Sequence, residues 1–159
     1  MKAAVLTISD GVARGERADE SGALLAELLT ADGYEVVRRV VADERSEIAE
    51  AIEELSDELP LVLTTGGTGV APRDVTPEAT ASVLERQVPG ISEALRADSA
   101  RKTPHGLLSR GVAGIRGQTL VVNLPGSPGG CRDGFAVLQP ALTHALTLLA
   151  GVQGGHQQT

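Results

Sequence analysis

Short aliphatic runs alternate along the chain with longer segments in which apolar residues recur every three or four positions. The short runs predict strands, and the periodic segments predict helices that bury one face. This alternation predicts an α/β fold, a three-layer sandwich with a largely parallel sheet. The predicted strands lie at residues 3–9, 35–42, 60–64, 112–115 and 120–124. The predicted helices lie at residues 19–32, 47–55, 91–101 and 128–149, with a further helix beginning at Thr76 and an ambiguous segment at 105–110.

The strand-like runs at residues 61–63 and 120–122 are apolar without alternation, as expected of parallel strands that are covered on both faces. Ligands of such open sheets bind outside the carboxyl ends of the strands. Unusual loops follow four of the predicted strands, after Ile8, Ala42, Thr64 and Leu124. We expect these four loops to converge on one rim of the sheet.

Length and composition narrow the class of protein. The 159 residues suit one domain, predicted at residues 1–151, with a disordered tail at residues 152–159 where the apolar pattern ends. No apolar run is long enough to span a membrane, the opening residues lack a signal-peptide pattern, and the single cysteine, Cys131, fits a reducing compartment. A net charge of −7 and only two aromatic residues argue against a nucleic-acid surface. We therefore predict a cytoplasmic protein without membrane or nucleic-acid partners.

A strand end followed by glycines and hydroxyls, residues 64–69, is the first candidate for ligand binding. Without Cβ atoms the backbone approaches a ligand closely, and consecutive N–H groups are able to point at an anion. The segment is neither a Walker A loop, because no Gly-Lys-Ser/Thr follows, nor a dinucleotide-binding fingerprint. An ordinary flexible turn remains the alternative.

Two helix starts carry the residues that cap helices. Thr76 is predicted as an N-cap, with Pro77 in the first turn. At residues 123–128 a strand ends, the chain turns, and Ser127 is predicted to cap a helix that Pro128 begins. Unpaired N–H groups at that second start would receive a phosphate, although the same residues would also make a plain cap.

Three carboxylates, Asp10, Asp43 and Asp74, lie on these loops. Each has a structural alternative, since Asp43 could cap the second long helix and Arg73 could form a surface ion pair with Asp74. Together, at the ends of different strands and beside two anion-binding turns, they suggest Mg²⁺ held against phosphates. The residues therefore point to a phosphate-bearing ligand and a divalent cation.

Three stretches, residues 63–69, 73–79 and 123–128, resemble the Mog/MoaB family of molybdenum-cofactor biosynthesis. Residues 7–10 and 108–110 are also similar to that family, so the resemblance covers roughly residues 3–150. It implies a molybdopterin-binding-like fold and a molybdopterin adenylyltransferase, which uses Mg²⁺ and ATP to attach AMP to molybdopterin and releases pyrophosphate. It also implies a homotrimer and a downstream molybdenum insertase as partner. The alternative within the family is a non-catalytic, MoaB-type carrier of molybdopterin.

The resemblance also implies roles for individual residues. The family's key aspartates fall on Asp43 and Asp74, which are thereby predicted to be catalytic and to hold or orient Mg²⁺. Arg73 would help to neutralise charge on the phosphates, and Ser109 and Arg110 would bind the pterin end. The other implied binding residues are Ser9, Asp10, Thr65, Gly66, Gly67, Thr68, Gly69, Asn123, Leu124, Pro125, Gly126, Ser127 and Pro128.

Overall fold

The computed structural model describes residues 1–151, so the tail predicted at residues 152–159 lies outside the described part of the chain. The strands are β1 Lys2–Ile8, β2 Glu35–Val41, β3 Leu61–Thr65, β4 Arg86–Gln87, β5 Ala113–Arg116 and β6 Thr119–Leu124. The helices are α1 Asp10–Ala13, α2 Glu20–Ala31, α3 Arg45–Glu58, α4 Thr76–Val83, α5 Pro89–Lys102 and α6 Pro128–Leu149. A 3₁₀ helix at Pro104–Leu108 occupies most of the segment whose pattern was ambiguous.

One six-stranded sheet, in the order β2-β1-β3-β6-β5-β4, organises the molecule. The four strands from β2 to β6 in this order pair in parallel, whereas β5 is antiparallel to β6 and β4 is antiparallel to β5. The prediction of a largely parallel sheet is confirmed. The pattern did not predict β4, because a strand of two residues has no measurable periodicity.

Helices cover both faces of the sheet, and successive side chains of each central strand point into opposite layers. Ala3 and Val5 pack with α2 and α6, whereas Ala4, Leu6 and Ile8 pack with α3 and α4. The first layer's helices contribute Leu25, Leu29, Phe135, Leu138, Leu142 and Leu146. The second layer's helices contribute Ile48, Ala51, Ile52, Leu55, Ala79 and Val83. The predicted three-layer sandwich is confirmed.

The carboxyl ends of β1 and β3 lie side by side where the strand order changes direction. After β1 the chain continues to β2 on one side of it, while β3 lies on its other side. Loops diverge at such a point and leave a crevice, which is where open parallel sheets bind their ligands. No helix within residues 1–151 has the length and apolar character needed to cross a lipid bilayer.

Candidate functional site

The glycine loop (residues 66–69) leaves β3 in a backbone conformation that L side chains rarely adopt. Gly66 has a φ of 102° and Gly67 a φ of 68°. A Cβ on Gly66 would lie 2.2 Å from the carbonyl oxygen of Ile8, and a Cβ on Gly67 would lie 2.3 Å from Oγ1 of Thr76. Both positions therefore require glycine for their φ and for the close approach of neighbouring atoms.

Thr76 stabilises this loop instead of capping α4, so its predicted role as N-cap is wrong. Val75 occupies the N-cap position and makes no side-chain capping bond. The Thr76 hydroxyl donates to the carbonyl of Gly66 at 2.9 Å, and its backbone N–H donates to the carbonyl of Gly67 at 3.1 Å. Because Thr76 is fully buried, its hydroxyl needs a partner, which the carbonyl of Gly66 supplies.

The turn before α6 contacts the glycine loop. The predicted cap is confirmed, since the Ser127 hydroxyl accepts a hydrogen bond from the N–H of Gly130 at 3.1 Å. A Cβ on Gly126 would lie 3.3 Å from Cα of Gly66, so the two turns are nearly in van der Waals contact. Among the described residues, none accepts a hydrogen bond from the backbone N–H groups of Gly67, Thr68 and Gly69. These donors are available to an anion.

Two cavities open on either side of this contact and share Gly67, Asp74 and Gly126 in their walls. The first, of about 410 Å³, lies at the carboxyl ends of β1 and β3; the second, of about 550 Å³, lies towards α5 and the 3₁₀ helix. The first is lined further by Thr7, Ser9, Arg17, Asp19, Ser21, Asp43, Thr65 and Pro128. The second is lined further by Ser99, Lys102, Thr103, His105, Ser109, Pro125 and Ser127. The predicted convergence of the loops on one rim is confirmed.

Asp10 and Asp43 bind one another's backbones across two neighbouring strand ends. The N–H of Asp10 donates to Oδ2 of Asp43 at 2.9 Å, and the N–H of Asp43 donates to Oδ1 of Asp10 at 3.0 Å. Asp43 does not cap α3, whose N-cap residue is Glu44. The reciprocal pair therefore fixes the Asp43 carboxylate at the mouth of the first cavity.

Arg73 closes this arrangement from the segment that follows the glycine loop. Its Nε and Nη2 donate to the two carboxylate oxygens of Asp10 at 2.7 and 3.1 Å, and Nη2 also donates to Glu44 at 2.8 Å. The surface ion pair with Asp74 is thus wrong, because Arg73 pairs with acids on other loops. The Arg73 guanidinium holds the pKa of Asp10 below its ordinary value, and the hydrogen bond from Asp43 adds to the effect.

Asp43 and Asp74 both lie against the glycine loop. A Cβ on Gly67 would be 3.2 Å from Oδ1 of Asp43, and a Cβ on Gly69 would be 2.9 Å from Oδ2 of Asp74. Asp74 accepts a hydrogen bond on Oδ2 from the N–H of Ala71 at 3.0 Å. Burial raises the pKa of Asp43, and the nearby charges of Asp10 and Asp74 reinforce the rise against the opposing backbone bond from Asp10.

The donor set fits a magnesium ion that also binds substrate. Within residues 1–151, no three His, Cys, Asp or Glu side chains cluster closely enough to hold a metal without other ligands. No donor among these residues reaches Oδ1 of Asp43 or Oδ1 of Asp74, so each carboxylate keeps one uncommitted oxygen. Magnesium is commonly bound in this way, by one or two carboxylates together with waters and substrate phosphates.

Other residues predicted for binding serve the framework around the cavities. The Asn123 amide is buried, donates to the hydroxyls of Thr64 and Thr80 at 3.0 Å each, and accepts from the N–H of Val112. Leu124 is fully buried in the core. Arg110 directs its guanidinium at carbonyl and carboxylate groups beside the glycine loop, whereas Ser109 lines the second cavity.

Thr65 belongs to the same framework. Its hydroxyl donates to the carbonyl of Pro125 at 2.7 Å and lies 3.0 Å from Oγ of Ser21 and 3.3 Å from Sγ of Cys131. Burial raises the pKa of the Cys131 thiol to about 11, so this cysteine is a neutral packing residue at physiological pH.

Several cavity residues were not predicted from the sequence, among them Asp19, Arg17 and Lys102. Asp19 caps α2 through the N–H of Gly22 and also accepts from Thr7 and Arg38, so its side chain joins β1 and β2 to the first cavity. Arg17 lines the first cavity and Lys102 the second. An Asp before Glu-Ser-Gly is a recognisable N-cap signal, but no local pattern marks the other two.

Comparisons with known proteins show the family to which the chain belongs. A family model described as "Probable molybdopterin binding domain" matches residues 4–144. The chain is 40% identical over 152 residues to the molybdopterin adenylyltransferase of Helicobacter pylori, a match that covers 92% of this chain and 86% of that protein. It is 42% identical over 149 residues, 91% of its length, to the molybdenum cofactor synthesis protein cinnamon of Drosophila melanogaster, but spans only 25% of that relative.

Solved structures give the same result. The molybdopterin biosynthesis enzyme MoaB of Thermus thermophilus superposes with a TM-score of 0.88 at 47% identity, over 94% of this chain and 96% of that one. The family model matches most of the chain, and the Helicobacter relative is 40% identical over nearly all of it. Together they establish common descent with molybdopterin adenylyltransferases and with MoaB proteins. The chain therefore belongs to the molybdopterin-binding family of Mog and MoaB proteins.

Proposed function

We propose that this protein transfers AMP from ATP to the terminal phosphate of molybdopterin, in a reaction that depends on Mg²⁺. The observation that carries the proposal is the meeting of two cavities at Gly67, Asp74 and Gly126. A transferase must hold two substrates with their reacting groups in contact, and a shared wall of backbone N–H groups suits two phosphates. The name of the Helicobacter relative supports this particular reaction.

Each cavity suits one substrate. The first holds both Asp43 and Asp74, so we assign it to ATP with its cation. The second is lined by the hydroxyls of Ser99, Thr103, Ser109 and Ser127, which suit the polar molybdopterin. Lys102 in this lining is paired with Asp98 and Asp133, so we assign no phosphate contact to it. The α-phosphate and the terminal phosphate of molybdopterin would then meet at the glycine loop.

The proposed chemistry requires no strong general base. A phosphate monoester has its second pKa near 6, so most of it is the dianion at neutral pH. One of its oxygens forms a bond to the α-phosphorus of ATP while the bond to the β-phosphate oxygen breaks, and pyrophosphate leaves. Catalysis then consists of in-line positioning and stabilisation of charge on the phosphate oxygens.

The chain's own groups divide this task. The N–H groups of Gly67, Thr68 and Gly69 donate to phosphate oxygens, while Asp43 and Asp74 would hold Mg²⁺. When bound, Mg²⁺ neutralises charge on the phosphates. Arg73 is committed to Asp10 and Glu44, so we assign it to holding the Asp10–Asp43 pair and not to the phosphates.

Incubation with ATP, Mg²⁺ and molybdopterin tests the proposal directly. We expect stoichiometric release of pyrophosphate and formation of adenylyl-molybdopterin, measured by mass spectrometry. Tight binding of molybdopterin without pyrophosphate release would instead support the carrier function that the resemblance left open.

The same assay tests the assignment of Asp74. The substitution Asp74→Asn keeps the shape of the side chain and removes its charge, so it should raise the barrier by several kcal/mol if the carboxylate holds the metal. Since each ~1.4 kcal/mol is about tenfold in rate, turnover should fall by two or more orders of magnitude. Molybdopterin binding, measured separately, should survive because that ligand is anionic. Near-wild-type turnover at saturating Mg²⁺ would remove Asp74 from the metal site.

The cellular setting follows from the reaction. We place the protein in the cytoplasm and expect its product to pass to a molybdenum insertase. This chain corresponds to a quarter of cinnamon, a synthesis protein of the same cofactor that carries much additional sequence. A fusion of this kind is consistent with a product that is handed directly to a neighbouring unit.

A further inference from the structure

Arg110 is held in a way that suggests another role than contact with the pterin. We propose that Arg110 is a positioning residue, which holds the glycine loop and Asp74 in the geometry that a divalent cation and a nucleotide require. The inference rests on the proposed function, because that function gives Asp74 its role. It assigns Arg110 to the rear of the nucleotide site and removes it from the surface that binds pterin.

The guanidinium of Arg110 has protein partners on every nitrogen. Nε donates to the carbonyl of Gly69 at 2.8 Å, Nη2 donates to the carbonyl of Asp74 at 2.7 Å, and Nη1 donates to both carboxylate oxygens of Glu78. The backbone N–H of Arg110 donates to the carbonyl of Thr68 at 2.8 Å. Residues on both sides of the exposed turn at 70–73 are thereby tied to one side chain.

The turn between Gly69 and Asp74 has little else to hold it. Residues 70–73 are exposed, and Val70 is 65% exposed, so burial of apolar side chains contributes little to its order. Its internal bonds, from Asp74 N–H to the carbonyl of Ala71 and from Ala71 N–H to Oδ2 of Asp74, shape the turn without attaching it to the sheet. Attachment comes from Arg110 at its two ends and from Arg73 within it.

Arginine suits this position better than lysine. Its rigid, planar fork reaches several acceptors in different directions, whereas an ammonium group is a compact point charge on a flexible stem. Glu78 neutralises the guanidinium and fixes its plane, and the pKa of Glu78 is lowered by that hydrogen-bonded arginine. Charge-assisted bonds of this kind are stronger than neutral ones, which matters for a partly exposed site.

Arg73 supplies an independent attachment with a different target. It binds Asp10 and Glu44 and so acts on the Asp10–Asp43 pair, while Arg110 acts on Asp74. The two aspartates assigned to the metal are therefore positioned by separate arginines. Loss of Arg110 should disturb Asp74 and leave Asp43 in place.

Binding of Mn²⁺ together with α,β-methylene-ATP, measured by electron paramagnetic resonance, tests the positioning role of Arg110 and requires no turnover. We expect Arg110→Met to weaken Mn²⁺ binding at least tenfold in the wild-type background. In the Asp74→Asn background the same change should alter binding less than twofold, because its effect is transmitted through Asp74. If Arg110→Met acted independently of Asp74, it would weaken Mn²⁺ binding by the same factor in both backgrounds. The matched control is Arg39→Met, which breaks an exposed ion pair with Glu54, neither of which lines either cavity, and should leave binding unchanged.

A second variant keeps the test decisive if Arg110→Met lowers the melting temperature too far. Arg110→Lys preserves the charge but not the fork, and it should also weaken Mn²⁺ binding through Asp74, with the same non-additivity. Additive effects in the two backgrounds would overturn the inference. So would unchanged Mn²⁺ binding accompanied by a raised KM for molybdopterin, which would make Arg110 a pterin contact while leaving the proposed function intact. Absence of Mn²⁺–nucleotide binding in the wild-type protein would overturn the proposed function itself.

Discussion

Asp10 and Asp43 exchange a symmetric pair of hydrogen bonds, yet their pKa values move in opposite directions. Arg73 compensates the charge of Asp10 and lowers its pKa, whereas burial raises the pKa of Asp43. A carboxylate that is already paired is a structural partner, and one that is partly buried without a cation is poised to receive one. The pair therefore contains one positioning residue and one candidate metal ligand.

The substitution Asp43→Asn should stabilise the protein in the absence of ligands. The charged form of Asp43 is disfavoured in the folded state, and asparagine removes that charge while its amide oxygen, in the place of Oδ2, can still accept the N–H of Asp10. Since Asp43 is only partly buried, we expect the free energy of unfolding to rise by up to about 1 kcal/mol, which corresponds to a melting temperature higher by about 2–4 °C. Adenylyl transfer should be lost in the same variant.

The pH dependence of that gain has a definite sign. A raised folded-state pKa means that the folded protein binds the proton more tightly than the unfolded chain does. The destabilisation is therefore present at neutral pH, shrinks as the pH falls through the raised pKa of Asp43, and is gone only below the ordinary aspartate pKa of 3.8. Thermal melts of both proteins between pH 7 and pH 3 should converge at the acidic end. A constant difference across this range would contradict burial as the cause.

Residue positions were more predictable than residue partners. Asp43 and Asp74 follow predicted strand ends, so their place on the rim could be inferred from the order of elements. The partner of Arg73 could not, because Asp10 lies 63 positions away and the contact depends on the packing of the loops. Arg110 reaches Asp74 across 36 positions for the same reason.

Among the elements, the start of α6 is the one whose local design could be predicted in detail. Ser127 caps the helix through Gly130, three residues further on, so the interaction depends only on residues within one helical turn. The start of α4 has an equally favourable sequence, but Thr76 binds the glycine loop instead. Burial against another element overrides a local capping preference, and only the fold reveals that burial.

Gly126 is the point at which α6 and the glycine loop meet. The substitution Gly126→Val places a Cβ 3.3 Å from Cα of Gly66, and the added methyl groups would press on the loop or enter the shared wall of the cavities. We expect at least tenfold weaker binding of Mn²⁺ with α,β-methylene-ATP, measured by the same resonance titration, with little change in far-UV circular dichroism. Gly129→Ala is the matched control, because a Cβ there has no atom within 4 Å. Equal affinity in the two variants would reduce this turn to a plain helix cap.

The sheet of the molecule is parallel except at one edge, where β5 and β4 are antiparallel. The parallel part could be predicted from the sequence more completely than this antiparallel edge. The parallel direction of β1, β2, β3 and β6 follows from strands that alternate with helices, which is why the rim could be predicted. The antiparallel β4 and β5 have short, partly polar sequences that carry no orientation signal. They lie on the side of the sheet away from the switch point, so neither the missed β4 nor the unpredicted antiparallel direction of β5 misplaced the candidate site.

The homotrimer implied by the resemblance is a prediction about the whole molecule. The surface of one chain exposes several large apolar side chains, among them Leu107 at 74%, Leu108 at 50% and Val37 at 45%. Association that covers such side chains removes apolar area from water. We expect sedimentation equilibrium at micromolar concentration to give a particle of three times 16.4 kDa.

Assembly of this kind should also appear in thermal unfolding, because mass action stabilises a folded oligomer as its concentration rises. The melting temperature should therefore increase when the protein concentration is raised from about 1 to about 100 μM, and ligands should not be needed for the effect. The double substitution Leu107→Ser with Leu108→Ser tests whether the 3₁₀ helix belongs to the interface between subunits. If it does, the trimer should dissociate, and the melting temperature should no longer depend on protein concentration. A particle of 16.4 kDa at micromolar concentration, with a melting temperature independent of concentration, would contradict the trimer.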